Sequence, residues 1–208
     1  MAHTGKNPVV YVVDDDASVR HSLVTLLDVS GYTVEDFDSG EALLARNPAG
    51  LGCIVLDMRM CGMDGLAVQQ ALLRQGNQMP IIFQTAFGDV PRVVLAVQEG
   101  AKDFFIKPVD GALLVNRVQQ VLDDYAAHLA CEHERINLAL RMAELTERER
   151  EVLDLSVEGL SCKEIGIKLG VSYRTVELHR SHICNKFSTA NFSELFKLLV
   201  RLDAVPFQ

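Results

Sequence analysis

Five polar side chains stand at the ends of short apolar runs in the first half of the chain. Asp14 and Asp15 follow Val9-Val10-Tyr11-Val12-Val13, Asp57 follows Cys53-Ile54-Val55-Leu56, Thr85 closes Pro80-Ile81-Ile82-Phe83-Gln84, and Lys107 follows Asp103-Phe104-Phe105-Ile106. Short apolar runs bounded by turn signals read as strands buried on both faces. In open parallel sheets, chemistry sits just outside the carboxyl ends of the strands. Carboxylates crowded there repel one another unless something neutralises them. An oxygen-only set without His or Cys suits a hard cation, Mg²⁺ before Ca²⁺ or Zn²⁺. A cation held by two or three carboxylates keeps positions for water and a phosphoryl oxygen, and an aspartate beside it can attack phosphorus. Lys107 can hold a second phosphoryl oxygen as a point charge, and Thr85 can donate to the third. Together the residues describe a site that forms an aspartyl phosphate. Each residue alone has a plainer reading: Asp14-Asp15 as a helix cap, Asp57 as a turn residue, Thr85 as a turn hydroxyl, Lys107 as a solvated charge. Their succession at the ends of consecutive strands is what the plain readings leave unexplained.

The elements that must carry these residues alternate. After the first strand, Val19, Leu23, Leu26 and Leu27 fall on helical spacing behind Asp16 or Ser18 as cap, and Gly31 ends the helix. Thr33 to Phe37 reads as a second strand, and Ser39 opens a helix that closes near Asn47-Pro48. Helices are expected over Met63 to Gln75, Val90 to Glu99 and Val109 to about Asp123, after the strands that end in Asp57, Thr85 and Lys107. Five strand–helix alternations call for parallel strands joined by right-handed crossovers, an α/β domain with a doubly wound five-stranded sheet. Tyr125 to Ala143 lacks Pro and Gly and reads as a helical linker.

From Leu145 the pattern is all-helical. Thr146 with Glu149 fits a capping box. Ser161 and Ser172 cap two short helices, Lys163 to Leu169 and Tyr173 to about Phe187, joined through Gly170-Val171-Ser172, and a last helix spans Phe192 to Leu202. Two short helices across such a turn are a helix-turn-helix signal. The expected domains are therefore 8–123, a linker over 124–143, and 144–208.

Composition bounds the function classes. A chain of 208 residues has room for two small domains. No apolar run approaches the ~18 residues of a membrane span, and Met1 to Asn7 has no apolar signal region. The five cysteines are scattered without a Cys-x-x-Cys pair, which points to a reducing cytoplasm and away from disulfides or zinc. The formal net charge of −8 is uneven: residues 1–123 carry nine Lys+Arg against fifteen Asp+Glu, whereas 159–191 holds five basic residues against Glu164 and Glu177. Different partners for the two halves follow.

Residues 8–123 resemble a response-regulator receiver domain, of flavodoxin-like fold. The matching motifs are Val-Val-Asp-Asp-Asp (12–16), Leu-Asp-Met-Arg-Met-x-Gly-Met-x-Gly (56–65), Thr-Ala-x-Gly-Asp (85–89), Gly-Ala-x-Asp-Phe (100–104) and Lys-Pro (107–108). The resemblance implies phosphorylation of Asp57 by a sensor histidine kinase, Mg²⁺ on Asp14, Asp15, Asp57 and the backbone carbonyl of Arg59, and a switch pair of Thr85 and Phe104. On phosphorylation the hydroxyl would move to the phosphoryl group and the ring would turn inward. By itself Phe104 reads as core, and Phe105 beside it could take either role. Two departures stand out: Cys61 where the family usually has Pro, read as a small buried filler before a redox-sensitive thiol, and Phe87 where close relatives often have His.

Residues 145–202 resemble a LuxR-type helix-turn-helix domain, through Leu-Thr-x-Arg-Glu-x-Glu-Val-Leu (145–153), Gly-Leu-Ser-x-Lys-Glu-Ile (159–165), Leu-Gly-Val-Ser-x-Arg-Thr-Val-Glu-x-His-Arg (169–180) and Ile-x-x-Lys-Phe (183–187). With the receiver, this is similar to the NarL/FixJ family and leans toward its FixJ-like branch. It implies double-stranded promoter or operator DNA and RNA polymerase as partners, and a homodimer on phosphorylation. In such a motif the second helix lies in the major groove. Arg174, Glu177, Leu178 and Ser181 are the expected base-reading positions, with Glu177 able to accept from cytosine and Leu178 able to pack on a thymine methyl, and Thr175 is expected among the DNA contacts. Lys163, Arg174, Arg180 and Lys186 are expected near phosphates. His179 reads as packed or phosphate-facing.

The chain is thus expected to be a cytoplasmic transcriptional regulator whose chemistry is limited to accepting, and at most losing, its own phosphoryl group. Two other readings account for less of the sequence. A receiver-like scaffold controlled by a protein partner or by redox chemistry keeps the fold but leaves the acidic cluster without a purpose. A haloacid-type phosphatase also uses an aspartate after an apolar strand, but it needs a second Asp where this chain has Arg59 and gives the helix-turn-helix no role.

Overall fold

The computed structural model describes residues 7–86 and 90–202. The chain divides into two compact units, Met1–His128 and Leu129–Gln208.

The first unit is built on five parallel strands, β1 (Val9–Val13), β2 (Thr33–Phe37), β3 (Gly52–Asp57), β4 (Ile81–Thr85) and β5 (Asp103–Ile106), in the order β2-β1-β3-β4-β5. The connections are α1 (Ala17–Val29), α2 (Gly40–Arg46), α3 (Gly65–Arg74) and α4 (Val90–Gln98), and α5 (Gly111–Ala143) follows β5. Alternate side chains of each strand serve opposite faces. Tyr11, Val13, Ile54, Leu56, Ile81 and Phe83 pack with Leu43, Val68, Leu72, Val93 and Ala96 of α2, α3 and α4. Val10, Val12, Cys53, Val55 and Ile82 pack with Leu23 and Leu27 of α1 and Leu114, Val118, Val121 and Leu122 of α5. Burial on both sides is why β3 and β4 read as unbroken apolar runs: every residue of each is buried.

Helix starts follow local chemistry. Asp16 caps α1 by accepting from the N–H groups of Ser18 and Val19, and Asp64 caps α3 by accepting from Ala67. The third helix consequently begins at Gly65 rather than at Met63. The fifth helix and the expected linker form one helix, Gly111–Ala143, as the absence of Pro and Gly between Ala112 and Ala143 allows.

The second unit holds α6 (Glu147–Val157), α7 (Cys162–Leu169), α8 (Tyr173–Phe187) and α9 (Phe192–Arg201). Capping boxes open α6, from Thr146 and Glu149, and α7, from Ser161 and Glu164; each such cap is worth about 1 kcal/mol. Ser172 caps α8 through the Thr175 N–H. Val152, Leu153, Ile165, Val176, Ile183, Phe187, Leu195 and Leu199 form one core. The turn between α7 and α8 folds tightly over Gly166, where a Cβ would stand 2.8 Å from the Val171 carbonyl oxygen, closer than any side chain can tolerate. Among the described residues no helix is long and apolar enough to cross a membrane.

Candidate phosphoacceptor and nucleic-acid sites

The sheet order reverses between β1 and β3, and open α/β sheets leave a crevice at such a switch point. Asp14 follows the last residue of β1 and Asp57 is the last residue of β3, so both carboxylates enter that crevice. One carboxylate oxygen from each of Asp14, Asp15 and Asp57 lies within 4.8 Å of the other two. Lys107, just beyond β5, bridges two of them, with Nζ 2.7 Å from Asp14 Oδ2 and 2.9 Å from Asp57 Oδ1. The Lys107 N–H donates to the Thr85 carbonyl at 2.8 Å, which ties the lysine's backbone to the end of β4. The cluster is anchored from below as well: Asp14 Oδ1 accepts from the Asp16 N–H at 2.9 Å, and the Asp14 carbonyl accepts from Arg20 at 2.8 Å.

The members of the cluster differ electrostatically. Asp57 is buried, and burial pushes its carboxyl up despite the hydrogen bond and charge of Lys107. Asp15 is exposed and held below the usual carboxylate value, first by the Cys61 backbone N–H. Burial alone would lower the Lys107 ammonium, but hydrogen bonds to Asp14 and Asp57 outweigh it and its pKa is raised. The result is a buried aspartate whose charge costs energy, beside an exposed one that remains ionised. Three carboxylates with no nitrogen or sulfur donor match the ligand preference of a hard divalent cation, so these residues fit Mg²⁺.

Gly65 keeps the space behind Asp57. A Cβ there would stand 2.6 Å from the Asp57 carbonyl oxygen, 2.9 Å from the Phe83 ring and 3.1 Å from Met58 Cα. The glycine stood within a motif, but its role against the Asp57 backbone emerges only from the packing.

The remaining expected residues are distributed as follows. Thr85 is buried at the end of β4, with its hydroxyl 3.3 Å from the Ala86 carbonyl. Phe104 is 39 % exposed on β5, whereas Phe105 packs partly against the α1 and α5 side of the sheet. The ambiguity between the two rings resolves with Phe104 outside. Arg59 is exposed in the loop after β3. Cys61 is exposed rather than a buried filler. Its N–H donates to Asp15 at 2.8 Å, a bond that the usual proline could not make because proline has no N–H. The Asp15 carboxylate in turn pushes the Cys61 thiol up. Phe87, Gly88 and Asp89 lie outside the described residues.

On α8, Arg174, Glu177, Leu178 and Ser181 are all exposed, as a face at helical spacing requires. His182 and Asn185 extend that stripe, and Tyr173 lies at its edge; all three are exposed and were not among the expected contacts. The spacing signal that selected Arg174, Leu178 and Ser181 also passes through His182 and Asn185. Lys163 is exposed on α7. Three expected contacts are engaged elsewhere. Lys186 bonds Glu149 at 2.6 Å and the Glu144 carbonyl at 2.9 Å. Arg180 lies 4.1 Å over the Phe192 ring and within 3.0 Å of the Cys162 sulfur. The Thr175 hydroxyl pairs with Ser172 at 2.8 Å. Lys186 and Arg180 thus brace the domain, through a neighbouring carboxylate and an aromatic ring. His179 is half-buried.

Comparisons with known proteins agree with this geometry. Residues 10–119 match the response regulator receiver domain, and residues 143–199 match the bacterial regulatory proteins of the luxR family. The transcriptional regulatory protein FixJ of Azorhizobium caulinodans is 40% identical over 198 residues, covering 95% of this chain and 94% of its own length. Among solved structures, the response regulator StyR is 37% identical with a TM-score of 0.85, covering 94% of this chain and all of its own. Full-length FixJ from B. japonicum is 35% identical with a TM-score of 0.60 over 98% of this chain. Neither matched family is a classical enzyme family. With its receiver sheet, its acidic crevice and its LuxR-type helix-turn-helix, the chain belongs to the two-component response regulators of the FixJ type and is a transcriptional regulator.

Proposed function

We propose that Asp57 is the phosphoacceptor, that a sensor histidine kinase supplies the phosphoryl group, and that the modified protein dimerises and regulates transcription in the cytoplasm by binding promoter or operator DNA. The observation that carries this reading is the bridge of Lys107 between Asp14 and Asp57 in a three-carboxylate cluster at the sheet's switch point. Asp14, Asp15, Asp57 and the Arg59 carbonyl would hold Mg²⁺, which when bound offsets the charge of a transferring phosphoryl group. The step breaks the N–P bond of a phosphohistidine and forms a bond from phosphorus to an Asp57 carboxylate oxygen, and the imidazole departs with the N–P electron pair. Lys107 holds a phosphoryl oxygen after transfer, trading one of its carboxylate contacts for it. Thr85 donates its hydroxyl to another oxygen, and Phe104, exposed on β5, turns into the space the hydroxyl leaves. Loss of the phosphoryl group to water at the same site is the only further chemistry assigned to the chain.

For the second unit we assign base reading to Arg174, Glu177, Leu178 and Ser181, and phosphate contact to Lys163 and Arg174. Receiver, linker and DNA-binding domain are assigned to residues 8–123, 124–143 and 144–208, and RNA polymerase is the expected further partner at the promoter. The test is labelling by a small phosphodonor such as acetyl phosphate with Mg²⁺, read by intact mass and by mass in solution. Wild type should gain one phosphoryl group and become dimeric, and Asp57→Asn should do neither. Unlabelled wild type, or equal labelling of Asp57→Asn, would overturn the assignment.

A further inference from the structure

Two exposed side chains stand on the flanks of the reading face of α8. A helix turns about 100° per residue. Measured from the mean direction of Arg174, Glu177, Leu178 and Ser181, Tyr173 lies about 90° to one side and His182 about 90° to the other. Both are exposed, whereas Val176, Ile183 and Phe187 of the same helix are buried in the domain core. Tyr173 is the first residue of α8 and His182 follows nine residues later, about 14 Å along the axis. Among the described residues no hydrogen bond or ion pair engages either side chain. A helix with its side chains is about 10–12 Å across, and the major groove is about 12 Å wide. A helix seated in that groove therefore presses its two flanks toward the two phosphate strands that wall it. Tyr173 offers an O–H donor there and His182 an N–H donor, and phosphate oxygens take such bonds from uncharged side chains as well as from Arg and Lys. Cations with no other partner are scarce on this helix. Arg180 and Lys186 have partners within the domain, Glu177 adds a negative charge to the reading face, and the chain as a whole carries −8. Uncharged donors hold phosphate without drawing on counterion release.

We infer that Tyr173 and His182 form a phosphate clamp across the major groove, one donor to each strand, which sets how α8 sits while Arg174, Glu177, Leu178 and Ser181 read bases. This rests on the assignment of α8 as the reading helix and names the backbone contacts that position it.

The test uses full-length protein treated with acetyl phosphate and Mg²⁺, and two duplexes of equal length. One is selected by the wild type from a random-sequence library, and the other is of unrelated sequence. Binding is followed by fluorescence anisotropy across a salt series at pH 8, where an ordinary imidazole is uncharged. Tyr173→Phe removes only the hydroxyl, and His182→Ala removes the ring. Each should weaken both duplexes by the same factor, roughly tenfold, and leave the salt slope at its wild-type value, because no cation is lost. The order of preference between the duplexes should stay as in wild type. A loss confined to the selected duplex would make the residue a base reader, and a flattened slope in His182→Ala would make it a charged contact; either result overturns the clamp. If the library yields no preferred duplex, the assignment of α8 as reading helix falls and the clamp with it. A preferred duplex that both variants bind as tightly as wild type removes the clamp alone.

Discussion

Asp57 meets its environment through two different kinds of neighbour. One is charge: Lys107 offsets the repulsion among the three carboxylates and opposes the cost of burial. The other is space: Gly65 lets the backbone after Asp57 fold back on the start of α3, with the Gly65 N–H donating to the Met58 carbonyl at 3.1 Å. Gly65→Ala places a methyl group against backbone that cannot move aside. Overpacking of this kind costs about 1–3 kcal/mol, so thermal unfolding of the receiver should shift down by that amount, and phosphoryl transfer to Asp57 should slow because the shift occurs in its own loop. Wild-type stability in Gly65→Ala would show that the loop yields. The place of Asp14, Asp15, Asp57, Thr85 and Lys107 at or just beyond strand ends was legible because strand ends are marked by apolar runs. Which lysine stays free was not legible, because the count of basic residues carries no information about their partners. Lys163→Ala should weaken DNA binding across sequences and flatten the salt slope by about one unit. Lys186→Ala should leave that slope unchanged and instead destabilise the domain by about 3 kcal/mol, by stranding the buried Glu149 carboxylate. Salt-dependent binding curves and denaturation of the two variants separate the roles.

Helix caps were the most legible elements, since an N-cap depends on residues three apart in sequence. Thr146 and Glu149 form the expected box, and Glu149 gains Lys186 from α8 as a second partner. That added contact links the start of α6 to the end of α8 and was not readable from either helix alone. Burial opposes ionisation of Glu149, but the Lys186 bond and the Thr146 donors prevail and hold its carboxyl at about 2. A carboxylate depressed in the folded state contributes stability that is complete above its ordinary value, near 4.5, and is lost as the pH falls toward about 2. Glu149→Gln keeps an acceptor for the cap but loses the charge. It should be less stable than wild type at neutral pH, because Lys186 loses its charged partner, and the difference should shrink through the window from about 4.5 to about 2. A gap between the two unfolding curves that did not narrow in acid would assign Glu149 to packing alone. Helix boundaries were less legible: the join between the fifth helix and the linker has no capping residue, and only the absence of Pro and Gly announces that Gly111–Ala143 is one helix.

At the scale of the whole molecule, the two units have separate cores, one around each face of the sheet and one among α6 to α9. The division was legible as a change of period, from strand–helix alternation to helices alone, and as a change of charge. Separate cores make ligand effects separable. A cation held by Asp14, Asp15 and Asp57 would bind only the folded receiver, and at a hundredfold excess over its Kd would stabilise it by about 2.7 kcal/mol. Heating the full-length protein should give two transitions, and Mg²⁺ should raise the receiver's alone. The rise should be absent in Asp14→Asn and Asp15→Asn, both of which remove a carboxylate from the cluster, and present in Lys186→Ala, whose defect lies in the other unit. Calcium should reproduce the rise in part, because the three candidate ligands are all carboxylates, and zinc should not do so specifically, because it prefers nitrogen and sulfur ligands. An equal rise in both transitions would mean that the cation acts on the molecule's general charge, which is −8 overall, and would remove the acidic crevice as its binding place.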